Sequence, residues 1–261
     1  MSNEQTRRTF LKLSAVGLAA TGAADLTAAS FATPSPEGEI AVRVTGGSQR
    51  YATAAPLTWR SSMAAAENAI TLDPTTKFQE MLGFGAAFTD AACYTFNRLS
   101  AGARGELFHD LFHPGEMGLN VCRTCIGASD YSTEVFSYDE GEADPEMKRF
   151  SIAHDQAYVL PMMREARKVN PELFLFSSPW SPPGWMKDNG SMLGGTIRRR
   201  YLEPYARYLA RFLAAYKDAG VKVDALTVQN EVDTDQDGRM PACTWPQEAE
   251  VEFVAGVFAI G

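Results

Sequence analysis

From Phe78 onward, short apolar runs alternate with longer segments of helical periodicity, and this alternation restricts the chain more than any other feature. Strands separated by helical crossovers lie parallel in one sheet, with the helices covering it. Four such units can be laid out. Residues 81–88 form the first predicted strand, followed by helical stretches at 90–99 and 102–112. The second strand is 120–126, followed by a long loop and a helix at 153–169. The third, 173–178, leads through a Pro/Gly-rich loop to a helix at 197–219, where Tyr201, Tyr205, Leu209, Phe212 and Leu213 recur at helical spacing. The fourth is 223–229, and a last helix starts near Pro246.

The loops that leave these strands are long (127–150, 179–196, 232–245), whereas those that enter them are short, as in Asn170-Pro171-Glu172 and Gly220-Val221-Lys222. That asymmetry belongs to a (β/α)8 barrel of the TIM type, whose functional residues gather at the carboxyl ends of the strands. Single barrels average about 250 residues. With four units in 261 residues, the expectation is a barrel cut to about its first four βα units, residues 76–261. Ahead of it, 33–38 reads as linker, and 40–44, 57–61 and 70–72 as short antiparallel strands, too sparse to bury a sheet face unaided.

Other features narrow the partners. A net charge of −8 and a pI near 5.0 argue against nucleic acid, which requires clustered Lys and Arg. The one basic run, Arg198-Arg199-Arg200, reads as a solvated face. Thr6-Arg7-Arg8-Thr9-Phe10-Leu11-Lys12, with a weakly apolar stretch and small residues behind it, resembles the bacterial twin-arginine export signal. Residues 1–32 are therefore expected to direct export to the periplasm or beyond. Cys122 and Cys125 have redox-motif spacing, but they sit within an apolar strand and not at a helix start, which makes them core thiols.

Candidate chemistry collects at the strand ends. Leu226-Thr227-Val228-Gln229-Asn230-Glu231 ends a strand-like run on an amide and a carboxyl, the placement of an acid for proton transfer. Pro179-Trp180-Ser181-Pro182-Pro183-Gly184-Trp185-Met186 offers two indoles that could stack on a sugar ring or pack in the core. Arg123, within an apolar strand, calls for a carboxylate partner near the strand tops. Asp130 is a hydroxyl-binding candidate or that partner. Asp90 fits a helix N-cap or a ligand role. Asp233-Thr234-Asp235-Gln236-Asp237-Gly238 opens like a calcium loop, but Thr244 stands where the twelfth-position Glu belongs. His109 and His113 lack a third ligand. No metal and no cofactor is expected.

Taken together, Gly83-Phe84-Gly85-Ala86-Ala87-Phe88-Thr89-Asp90-Ala91, Arg123 through Asp130-Tyr131-Ser132, Ser178 through Lys187, and Thr227 through Glu231 resemble glycoside hydrolase family thirty, the glucosylceramidase-like retaining β-glycosidases. The resemblance implies a (β/α)8 barrel with an attached β-sandwich, of which the N-terminal strands within 33–75 would be a partial segment. It also implies Glu231 as general acid/base, Asn230 on the sugar 2-hydroxyl, and Arg123, Asp130, Trp180 and Trp185 in the same pocket. A β-glucoside or a glucosylceramide-like lipid would be the substrate. Val232 stands where many members have proline. The family's nucleophile follows the seventh strand, so this chain is expected to lack it and, alone, to be inactive, with a missing C-terminal half as partner. A non-catalytic carbohydrate-binding remnant and a self-associating half-barrel are the alternatives.

Overall fold

A computed structural model describes residues 38–59, 68, 70 and 72–257. The export segment at 1–32 and the linker lie outside the described residues, except for Gly38. The chain divides into two compact units, one up to Lys77 and one from Phe78. In the first, β1 (Glu39–Gly46) and β2 (Gln49–Thr58) form an antiparallel hairpin. Gly47 takes a left-handed conformation at its turn, with φ 56°. The strand expected at 70–72 is not seen at Ile70 or Leu72, which lie outside any strand and are exposed, and residue 71 is not described.

The second unit is a four-stranded parallel sheet in the order β3-β4-β5-β6, each strand beside its neighbour in sequence, as in part of a (β/α)8 barrel. The strands are β3 (Ala87–Phe88), β4 (Val121–Ile126), β5 (Phe174–Pro179) and β6 (Ala225–Leu226). The helices are α1 (Asp90–Asn97), α2 (Ala101–Phe112), α3 (Ala153–Gln156), α4 (Val159–Val169), α5 (Leu202–Asp218) and α6 (Gln247–Val257). β4 and β5 pair along their whole length, Val121 with Phe174 through Ile126 with Pro179. The outer strands are shorter than their apolar runs suggest. On the β6 side the chain keeps tracking β5 through Asp224 N to Leu175 O, Thr227 N to Ser177 O and Asn230 N to Pro179 O, beyond the two-residue ladder.

The pleat sorts the two faces of the sheet. Cys122, Ile126 and Leu175 enter a core shared with α4 and α5, whereas the register row Ala87, Arg123, Phe176 and Ala225 lies on the opposite face. α5 supplies Tyr205, Tyr208, Leu209, Phe212 and Tyr216 to that core. Leu213, expected on the same stripe, is exposed, since it lies about 100° round the helix from Phe212 and off the face defined by Tyr205, Tyr208, Leu209, Phe212 and Tyr216. The helix expected at 153–169 breaks at Tyr158, whose φ is −152° and whose hydroxyl is held by Thr133 and His154. All four cysteines are free and buried, and burial raises the thiol of Cys125 to about 11.

Gly85 brings the first strand run against the second. A Cβ there would lie 1.5 Å from the carbonyl oxygen of Val121, a backbone atom that cannot step aside. Gly85→Ala is therefore expected to destabilise the unit by about 3 kcal/mol or more, at the upper end of overpacking. A lowered urea midpoint with an unchanged slope checks this, and an unchanged midpoint would contradict it.

Candidate active site

The site is built where β4, β5 and the β6 run end. Asn230 donates its backbone N–H to Pro179 O at 2.8 Å, which is the last rung between the two runs. Gln229, buried beside it, donates from Nε2 to both Trp180 O (2.6 Å) and Asn230 O (2.9 Å). One amide thus ties the start of the Trp180 loop to the residue before Glu231. Gln229 was not a candidate in the sequence, although its place in the strand-terminal triplet is a signal. Its Oε1 is buried and accepts no hydrogen bond among the described residues.

Glu231 is the next residue and is exposed, in a left-handed conformation with φ 49°. For a side chain with a Cβ that conformation costs about 1–3 kcal/mol and persists only where neighbours enforce it. Here Trp245 N donates to Val232 O at 2.9 Å, and Gln236 Nε2 donates to Glu231 Oε2 at 2.5 Å. The carboxyl group therefore stands at the strand-end rim, oriented by the 232–245 loop. Residues 236–238, inside the run that opens like a calcium loop, form a single 3-10 turn capped by Asp235, which accepts from Asp237 N.

Arg123 and Trp180 meet directly, with the guanidinium 4.7 Å from the indole ring centre. The expected ion pair of Arg123 with a carboxylate is not found among the described residues. A planar, weakly hydrated cation can be satisfied by an aromatic face instead. Asp130 is exposed on the loop that leaves β4. Ser129 flanks it, accepting at Oγ from Tyr131 N and donating its backbone N–H to Ser132 Oγ.

Both tryptophans are buried, Trp180 to 5% exposure and Trp185 to 9%. Trp185 belongs to the core cluster. Its Nε1 donates to Asp139 O at 2.8 Å and its ring meets Tyr201 edge-on. Trp185 is thus a wall of the loop and not an open stacking face, because an indole N–H in a core needs an internal acceptor. Trp180 is more deeply buried still, with the Arg123 guanidinium over its ring.

Sequence reasoning also missed Lys187. It is fully buried, and Nζ donates to Ser181 Oγ (3.0 Å), Met192 O (2.9 Å) and Ala242 O. Burial lowers its ammonium to about 8. Lys187 fastens the Trp180 loop to residues 241–245, which in turn hold Val232. Asp90 is neither N-cap nor open ligand. Thr89 caps α1, accepting from Ala92 N, and the Asp90 carboxylate turns to Thr133 and His154.

Comparison with known proteins agrees with this geometry. Residues 81–257 match the glycosyl hydrolase family 30 TIM-barrel domain. Over 182 residues the chain is 36% identical to "Endo-1,6-beta-D-glucanase neg1" of Aspergillus fumigatus, covering 62% of this chain and 37% of that protein. Over 173 residues it is 37% identical to "Putative glucosylceramidase 3" of Caenorhabditis elegans, covering 64% and 33%. Among solved structures, SrfJ from Salmonella typhimurium superposes with a TM-score of 0.70 at 29% identity, covering 78% of this chain and 46% of that one. The chain spans about a third of the length of these two curated relatives. With strand order and family match in agreement, the chain belongs to glycosyl hydrolase family 30, and residues 81–257 are part of its TIM-barrel domain.

Proposed function

We propose that this chain carries the proton-donor side of a retaining β-glucosidase site, with Glu231 as general acid/base. The observation that supports the reading is the last rung, Asn230 N to Pro179 O, which joins the residue before Glu231 to the residue before Trp180, whose ring Arg123 meets. In the first step a carboxylate attacks the anomeric carbon, and the glycosidic C–O bond breaks as Glu231 gives its proton to the leaving oxygen. In the second, Glu231 takes a proton from water as that water displaces the enzyme carboxylate. Such pairs stand about 5–5.5 Å apart. The attacking carboxylate is assigned to the part of the relatives that this chain does not span. Asn230 binds the sugar 2-hydroxyl, Asp130 other ring hydroxyls, and the Trp180–Arg123 pair and Trp185 form the wall behind. The relatives' names, a 1,6-β-glucanase and a glucosylceramidase, support a β-linked glucose on the glycone side.

An aryl β-glucoside tests this on the chain as it stands. Glucose or the glucoside should quench tryptophan fluorescence without turnover. When the remaining barrel half is supplied, hydrolysis with retention should appear, and Glu231→Gln should lower kcat by about 10²–10⁴-fold. Turnover by the chain alone would overturn the assignment of the attacking carboxylate, and absence of any sugar response would overturn the glucoside reading.

A further inference from the structure

We infer that His154 is a positioning residue that holds the Asp130 loop in place through Asp90, and that it does so as the imidazolium. The inference rests on the reading above only in giving Asp130 a sugar to bind.

Asp130 itself is exposed, so its position depends on what anchors its neighbours. Tyr131 O accepts from Ala91 N at 3.0 Å. Thr133 donates its backbone N–H (2.7 Å) and its hydroxyl (2.8 Å) to the same oxygen, Asp90 Oδ2. All three bonds lead to the first turn of α1. The other oxygen, Asp90 Oδ1, lies 2.8 Å from His154 Nε2. Tyr158 closes the circuit, its hydroxyl 3.1 Å from both His154 Nε2 and Thr133 Oγ1. The far ring nitrogen, Nδ1, is 3.4 Å from Glu134 Oε1, on the loop being held. Phe136 stacks on the imidazole with ring centres 3.7 Å apart and fixes its plane.

The ring therefore has a carboxylate at each nitrogen. A neutral imidazole carries one N–H and can serve only one of them, whereas the imidazolium donates to both. The charged groups that face it agree in sign: Asp90 from α1, Glu134 from the loop and Asp155 from its own helix, with the neutral phenol of Tyr158 from α4. Burial lowers the imidazole's basicity, but the bond to Asp90 and these three carboxylates raise it above the usual histidine range. Loss of the proton removes one donor and the charge that holds Asp90 and Glu134 together. Thr133 then loses a fixed acceptor, and the loop that presents Asp130 loosens.

Hydrogen exchange of the full chain, read on peptides covering 127–137 and corrected for intrinsic rates, tests this at about pH 5 and about pH 8.5, either side of the histidine range. In the native chain, protection of this loop should fall about fivefold or more between the two, the effect of one lost hydrogen bond. His154→Gln should show the low protection at both values, with β5 unchanged. Glu134→Gln, at an exposed position that the fold does not need, should move the transition to lower pH. A loop with pH-independent protection in the native chain, or an unshifted transition in Glu134→Gln, would overturn the inference. Because no sugar is present, a failure of the glucoside reading would leave these outcomes untouched.

Discussion

Lys187→Ala is expected to lower the unfolding free energy by about 3–5 kcal/mol, the combined size of an orphaned buried acceptor and a large-to-small cavity. The size follows from what Nζ touches. Met192 O retains a second donor, Ala242 N at 3.1 Å, and the Ser181 hydroxyl still donates to Pro182 O. Ala242 O has the lysine as its donor and would be left bare in the interior. An orphaned buried acceptor costs about 1–3 kcal/mol, and the emptied stem volume adds a cavity term. Lys187→Met separates the two, since it fills the volume and supplies no donor. It should recover the cavity part and keep the hydrogen-bond part. Urea unfolding followed by tryptophan fluorescence gives both values, and a methionine variant as stable as the native chain would refute the role assigned to the ammonium. The consequence reaches the site, because residues 241–245 bond to the Trp180 loop through Thr244 N to Gly195 O and to the Glu231 loop through Trp245 N to Val232 O. The alanine variant should therefore also lose sugar-dependent quenching.

That chain of contacts shows which parts of the fold were legible in the sequence. β4 and β5 were, because each is a mainly apolar six-residue run set between a short entering and a long leaving loop, and the two pair along their whole length. The β6 run was harder to bound, since after Leu226 it follows β5 through alternate single hydrogen bonds and not a full ladder. The break between α3 and α4 was invisible to periodicity: Tyr158, where it falls, leaves helical geometry while its hydroxyl meets Thr133, a residue of another loop. At the site, Glu231 stood out as a carboxyl at a strand end. Its left-handed backbone and its bond to Gln236 did not, because they depend on how the next loop folds back. Lys187 could be read only as the last residue of a motif. Its burial makes sense once the carbonyls of Met192 and Ala242 converge on it, and Ala242 is distant in sequence. Arg123 was expected to need a counter-charge because strand position is readable, whereas the nearby indole face is a tertiary fact.

The second large effect is on the pH dependence of stability, which is expected to peak on the acid side, near about pH 4–5, below the usual range. Asp155 dominates. It is 2% exposed, and burial raises its carboxyl to about 6, against the bonds it accepts from the hydroxyls of Tyr138 and Tyr216. A carboxyl raised on folding binds its proton more tightly in the native state. Its contribution is therefore complete below the unfolded value near 4 and is lost as pH rises through about 6. The raise from 3.8 to about 6 corresponds to about 3 kcal/mol lost between pH 4 and 7. Asp139 is raised to about 6, by burial first and then by Asp144, and acts in the same direction. His154, raised by Asp90 against its burial, extends the loss above the histidine range. Several groups oppose these, among them Asp73 and Asp144, whose carboxyls are lowered chiefly by bonds from Thr75 and from Arg149 N. Asp90 is held at about 2, because His154 and Thr133 outweigh its burial, so its contribution is present above about 4 and disappears as pH falls toward 2. Lys187, lowered to about 8 by burial, returns some stability only as pH climbs above 8. Asp155→Asn isolates the main contribution, since the amide keeps the size, can accept from both phenols at the one oxygen they share, and cannot ionise. The native chain should lose stability steeply from pH 4 to 7, and the variant should be flatter by about 3 kcal/mol over that interval. Parallel profiles for the two proteins, or a native stability that rises toward neutrality, would show that Asp155 does not ionise against its burial as described.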